Sequence, residues 1–85
     1  MNKTDLTYSI GTVAKMAGIP KYKLRHWCNR YLTHIERIRI GDSYHRRFTE
    51  RDIDLIKRIK DFREKGFTLD AAVEQARREL KKASI

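Results

Sequence analysis

The chain has 85 residues, a net charge of +9 and 40% hydrophobic residues, which suits one small domain and leaves too little length for two. A single cysteine, Cys28, excludes an internal disulfide. No apolar run approaches a membrane span, which needs about 20 residues, or a signal-peptide core, which needs roughly 7 to 15. We therefore expect a cytoplasmic protein that does not enter a membrane.

Two short helices are predicted near the start of the chain. The apolar residues of the first share one face: Ile10, Val13, Ala14 and Ala17. Ser9 can cap this helix and Gly18 can end it. After Pro20, whose fixed φ suits a helix start, a second helix also has one apolar face: Leu24, Trp27, Cys28 and Tyr31. Two helices joined by a short turn that contains Gly form a helix-turn-helix, whose second helix commonly enters a DNA groove.

From Ile35 the apolar pattern changes to the two-residue repeat of a strand. The alternation is between two sets: Ile35, Arg37 and Arg39 against Glu36, Ile38 and Ile40. It predicts a strand with an apolar side and a charged side. Residues 41–43, Gly-Asp-Ser, have turn chemistry, and residues 44–48 supply a partner strand. We predict a β-hairpin that forms a wing.

Two further helices complete the predicted fold. Thr49 and Asp52 have the spacing of a capping box, with Asp in place of Glu, and the helix that they open should end at Gly66. Thr68 caps a last helix with an apolar stripe over residues 69–80. The order is α-α-β-β-α-α, a mostly α fold with a two-stranded β-hairpin. We expect residues 1–7 to be a flexible arm, 8–82 the domain and 83–85 a tail.

The positive charge is concentrated in the second helix and the hairpin. Residues 19–48 hold eight basic side chains: Lys21, Lys23, Arg25, Arg30, Arg37, Arg39, Arg46 and Arg47. Against the acids Glu36 and Asp42, the segment carries 8 − 2 = +6 of the total +9. A basic helix followed by a basic hairpin is typical of a surface that binds nucleic acid.

Four sequence motifs occur in a specific order: YSIGTVA at 8–14, LRHW at 24–27, RRFTERDI at 46–53 and FREKGFTL at 62–69. Together they resemble the DNA-binding domain of MerR-type transcription regulators. The resemblance implies a winged helix-turn-helix that binds operator DNA as a dimer, with the second helix in the major groove and the wing on the backbone and minor groove. It also implies a homodimer formed through a region outside this chain, which is then either a shortened form or a member of a short subgroup.

Ten residues are predicted to contact double-stranded DNA: Lys21, Tyr22, Lys23, Arg25, His26, Arg39, Tyr44, His45, Arg46 and Arg47. Arg25 matches the family's Arg in the recognition helix and can bond bidentately to phosphate or guanine. Arg46 matches the family's wing Arg and is assigned to phosphate. Tyr44 and His45, near the hairpin tip, are assigned to the backbone or the minor groove. The alternative for each is an ordinary solvated or ion-paired side chain.

Catalytic and metal sites are not expected. Cys28 with His26, His34 and His45 suggests zinc, but the spacing matches no closed zinc pattern. No Gly-rich phosphate loop or carboxylate pair accompanies the thiol. Trp27 could stack on bases, yet its place on the apolar face predicts a core residue. We therefore predict no enzyme activity, no metal and no cofactor.

The function that this reasoning favours is sequence-specific binding of double-stranded DNA, as the operator-reading domain of a transcription regulator. Two alternatives remain open at the level of sequence. One is a small architectural or recombination-directionality protein that bends DNA. The other is a protein-interaction module whose basic face docks an acidic partner.

Overall fold

The computed structural model describes residues 6–83, so most of the arm expected at residues 1–7 and of the tail expected at 83–85 lies outside the described residues. Six elements follow one another: α1 (Ile10–Ala17), α2 (Lys21–Arg30), β1 (Arg37–Ile40), β2 (Ser43–Arg46), α3 (Glu50–Glu64) and α4 (Leu69–Ala83). Their order and types confirm the predicted winged helix-turn-helix.

The turn between α1 and α2 forms for the predicted reasons. The Ser9 side chain accepts a hydrogen bond from the Thr12 N–H at 3.3 Å and caps α1. Gly18 ends α1 in the left-handed region, at φ 72°, where its N–H donates to the Ala14 carbonyl. Pro20 then occupies the N-cap of α2 in an extended conformation. The two helices are thereby joined through one tight turn.

The hairpin is shorter than predicted at both ends. Its turn consists of Gly41, at φ 62°, and Asp42, while Ser43 already belongs to β2. Ile35 is buried and lies before β1. Phe48 is fully buried and pairs with Tyr8 through two backbone hydrogen bonds of 2.8 and 2.9 Å. The strands end where the chain turns these two side chains into the core.

The capping box that opens α3 is confirmed. The Asp52 N–H donates to Thr49 Oγ1 at 3.1 Å, and the Thr49 N–H donates to Asp52 Oδ2 at 2.9 Å. The helix ends at Glu64, two residues before the predicted stop at Gly66, which has φ 100°. At the start of α4, Thr68 Oγ1 accepts from the Ala71 N–H at 3.2 Å.

One apolar core lies between the four helices and under the base of the hairpin. Trp27 is 3% exposed, which confirms the prediction that it is a core residue. The core contains the following buried hydrophobic residues: Val13, Ala14, Ala17, Leu24, Trp27, Cys28, Leu32, Ile35, Phe48, Ile53, Leu55, Ile56, Ile59, Ala72, Val73, Ala76 and Leu80. Arg58 of α3 also joins α4 through Glu79, at 2.9 Å. The helices α3 and α4 are therefore joined by a surface ion pair as well as by the core.

The cap of α3 can be tested by substitution. Thr49→Ala removes the side-chain oxygen that accepts from the Asp52 N–H, and we expect the free energy of unfolding to fall by about 1 kcal/mol. Urea denaturation followed by circular dichroism measures the loss. Ser43→Ala, at an exposed position at the start of β2, is the control and should stay within about 0.5 kcal/mol. Equal losses in the two variants would contradict the assigned cap.

Candidate nucleic-acid interface

The exposed side of α2 carries the predicted recognition residues. Burial of Leu24 and Trp27 in the core turns the opposite side of the helix toward solvent. All five DNA-contacting residues predicted on this helix are exposed: Lys21, Tyr22, Lys23, Arg25 and His26. Lys21 and Lys23 lie on opposite flanks of that side. Each residue turns about 100° around the helix axis, so two residues that are two positions apart are separated by about 200°.

A continuous strip runs along the middle of this side of α2. The helical repeat places Tyr22, Arg25 and His26 next to one another. The strip continues to Asn29, one turn closer to the C-terminal end of the helix. It offers a phenol, a guanidinium, an imidazole and an amide, all of which form hydrogen bonds with phosphates or base edges.

The hairpin has two different faces, which follow from its register. Residues directly opposite each other on antiparallel strands point to the same face, and successive residues point to opposite faces. One face carries the pairs Arg37 with Arg46 and Arg39 with Tyr44. The other face carries the pairs Ile38 with His45 and Ile40 with Ser43. We call them the arginine face and the isoleucine face.

This division separates two residues that were predicted to act together. Tyr44, 66% exposed, lies on the arginine face, whereas His45 lies on the isoleucine face. Ile38 and Ile40 are 42% and 55% exposed, so the apolar side of the wing is open to solvent and does not join the core. Tyr44 and His45 therefore point in opposite directions from the wing.

A hydrogen bond joins the arginine face to α2. The Arg46 guanidinium, through Nη2, donates to Asn29 Oδ1. Because Asn29 ends the strip on α2 and Arg46 belongs to the arginine face, the two basic surfaces meet at this bond. Sequence reasoning missed Asn29, since an uncharged residue in a basic helix gives no electrostatic signal. Its position seven residues after Tyr22, on the same helical strip, was the available clue.

Arg39 lies at the tip of the wing. Its Nε donates to the Gly41 carbonyl at 2.9 Å, and Nη2 lies 3.9 Å from Asp42 Oδ1. Both side chains of this ion pair are well exposed, so the pair contributes little to stability. The guanidinium is thus folded back over the turn, with part of its charge balanced there.

Arg47 is placed apart from the other predicted contacts. Its Nε donates to Thr7 Oγ1 and its Nη2 to the Thr7 carbonyl, both at 3.1 Å. The side chain is half-buried and points away from Arg46, its neighbour in an extended segment. These bonds hold the residue before Tyr8 against the segment that follows β2. The structure therefore gives Arg47 an anchoring role and does not bring it to the face shared by α2 and the hairpin.

Comparison with known proteins decides the family. Residues 8–79 match the family described as MerR HTH family regulatory protein. The chain belongs to this family. It is 38% identical over 66 residues to the HTH-type transcriptional activator TipA of Streptomyces coelicolor, and equally to that of Streptomyces lividans. Each match covers 76% of this chain and 25% of the relative, so the chain spans about a quarter of the length of these relatives. The family is one of DNA-binding regulators and not a class of enzymes.

In this MerR-family domain, His34 has a role that the sequence did not reveal. Its Nε2 lies 2.9 Å from Asp52 Oδ1, while the other oxygen of Asp52 takes part in the capping box. The pair ties the loop after α2 to the start of α3. No periodic pattern relates residues 18 positions apart, so only the fold could show this contact.

Within residues 6–83, no group of three or more His, Cys, Asp or Glu side chains is arranged to hold a metal ion. None of the helices in the same range combines the length and apolar character needed to cross a bilayer. Cys28 is 2% exposed, which confirms its predicted place on the apolar side of α2.

Burial raises the pKa of the Cys28 thiol from its ordinary value of 9.0 to about 11. Loss of hydration on burial is the main cause of the raised pKa, and the positive charge of Arg46 lowers the pKa in the opposite direction. Because the thiolate is the reactive form, we expect native Cys28 to resist an aromatic disulfide reagent at pH 8 and to react readily in concentrated urea. The rate of thiol labelling in the two conditions measures this. Equally fast labelling would contradict the burial and the raised pKa.

Proposed function

We propose that this MerR-family domain binds double-stranded DNA sequence-specifically, as the operator-reading part of a transcription regulator. The observation that carries the proposal is the hydrogen bond between Asn29 and Arg46, which joins the exposed strip of α2 to the arginine face of the hairpin. A helix and a wing that share one basic surface suit a duplex, in which a major groove lies beside phosphates and the next minor groove.

Each element has a distinct part in this proposal. Arg25 and His26 on α2 enter the major groove and meet base edges, with Tyr22 beside them. Lys21 and Lys23, on the flanks of α2, contact the phosphates on either side of the groove. On the wing, Arg39, Tyr44 and Arg46 lie along the backbone, and His45 meets the duplex only from the isoleucine face.

Affinity is expected to depend on a second copy of the DNA-reading surface. A single domain of this size makes few contacts, and regulators of this architecture read two half-sites with two copies. The relatives named TipA are about four times as long as the matched segment, since the match covers 25% of each. We propose that the intact protein dimerises and places two α2 helices in successive major grooves.

Substitution of Arg25 tests the role of α2. Arg25→Gln removes a guanidinium that can bond two acceptors at once, and we expect the free energy of binding to the preferred duplex to weaken by about 1 to 3 kcal/mol. Fluorescence anisotropy at several salt concentrations measures it. Arg78→Gln is the matched control, because Arg78 pairs with Glu74 on α4 at 3.2 Å and its loss changes net charge equally.

Equal weakening by the two substitutions would mean that net charge alone drives binding, and it would contradict a specific role for Arg25. Unchanged DNA binding in Arg25→Gln, with loss of a protein complex, would favour a domain that docks an acidic partner.

Selection of preferred duplexes from a random pool tests the dimer. The proposal predicts a palindromic consensus whose half-sites lie on one side of the duplex, about 10 base pairs or a multiple of that apart. Sequencing of the enriched pool measures this. A single half-site would contradict reading by two copies, and no enrichment at all would contradict sequence-specific binding.

A further inference from the structure

A small cleft lies where the C-terminal end of α2 meets the base of the hairpin. Its volume is about 320 Å³. The polar groups around it are the amide of Asn29, the hydroxyl of Thr33 and the guanidiniums of Arg37 and Arg46, and Leu32 and Ile35 form part of its apolar wall. The cleft therefore combines two cations with two neutral hydrogen-bonding groups.

The two arginines of this cleft are placed unfavourably for the protein alone. Arg37 and Arg46 are Cα partners in the register of the hairpin, so both side chains rise from the same face at directly opposite positions. Like charges at such positions repel each other and destabilise the pair. Within residues 6–83, neither side chain forms an ion pair, and no carboxylate lines the cleft.

Their hydrogen-bonding capacity is also largely unused. A guanidinium has five N–H donors. Arg46 uses a donor for Asn29 Oδ1, and the Arg37 side chain makes no hydrogen bond to any residue in the range 6–83. Two planar, permanently charged donors with open positions form the arrangement that proteins use to bind the oxygens of phosphate.

We propose that this cleft binds one backbone phosphate of the DNA duplex between the guanidiniums of Arg37 and Arg46, with Asn29 as the positioning residue that holds Arg46. The inference rests on the proposed function and adds Arg37, which was not among the predicted contacts. An anion here relieves the repulsion between the two arginines, which favours its binding.

The position of the cleft favours a phosphate of DNA over a free phosphate. Asn29 belongs both to the exposed strip of α2 and to the cleft, so the cleft is continuous with the surface proposed for DNA. A duplex whose major groove receives α2 presents its backbone at the edge of that groove, next to the end of the helix. The arginine face of the wing then points at this backbone.

A duplex with single neutral phosphates tests the inference directly. In the preferred duplex from the selection, each phosphate near the groove edge is replaced in turn by a methylphosphonate, which has no charge. For the unaltered protein, we expect the replacement at one position to weaken binding by roughly 10-fold or more, as the loss of other hydrogen bonds to charged groups does. For the double variant Arg37→Gln with Arg46→Gln, the same replacement should weaken binding by less than about 2-fold.

Salt dependence supplies an independent signature. The slope of log K against log salt counts neutralised phosphates, at about 0.9 per phosphate. Because the two arginines share one phosphate, the double variant should lower the slope by about 1 and not by about 2. Asn29→Ala should weaken binding with little change in slope, since it misplaces Arg46 without removing a charge. Arg78→Gln serves as the control for net charge, and thermal unfolding shows that each variant is folded.

Three results would overturn the inference. One is a double variant that binds the duplex as tightly as Arg78→Gln. Another is a methylphosphonate effect that is equal in the unaltered protein and the double variant. The third is tight binding of inorganic phosphate that the duplex does not displace, which would assign the cleft to a free anion. In each of these cases DNA binding itself can persist, whereas failure of the unaltered protein to bind any duplex would overturn the proposed function as well.

Discussion

One-sided burial of α2 is the constraint on which the rest of the structure depends. Leu24 and Trp27 are almost fully buried, so the helix has a single possible orientation against the core. A small domain with 20 basic and 11 acidic residues has no interior that could hold its excess of cations. The burial of one side of α2 therefore determines that its Tyr22, Arg25 and His26 are presented together to solvent.

The hairpin is held by contacts at its base, because its own strands are short and exposed. Ile35 before β1 and Phe48 after β2 are buried, and Phe48 also pairs with Tyr8. Asn29 then joins the base of the hairpin to α2 through Arg46. The direction of the arginine face is thus set by the core beneath the wing and by one polar contact beside it.

A second group of polar contacts fixes the segments around this framework. Asp52 serves both the capping box of α3 and the contact with His34, and Arg47 holds Thr7. Arg77 of α4 donates to the Tyr31 carbonyl at 2.7 Å, at the C-terminal end of α2. Each contact connects a loop or a helix end to an element distant in sequence. Together they hold the loops and helix ends of this 85-residue chain in place.

What the sequence alone determined were the local features. The caps at Ser9 and Thr49 and the stop at Gly18 depend on hydrogen bonds between residues three or four positions apart, so the pattern of neighbouring residues suffices to predict them. The core side of α2 followed from its helical period, and the order of motifs indicated the family.

Only the tertiary structure decided which basic residues share a surface. Arg46 and Arg47 are neighbours in sequence and equal in charge, yet one meets α2 and the other anchors Thr7, because an extended backbone turns successive side chains to opposite sides. Arg37 belongs to the candidate site because the strand register places it directly opposite Arg46. Pairing across strands and packing between distant elements depend on chain segments that a local pattern does not relate.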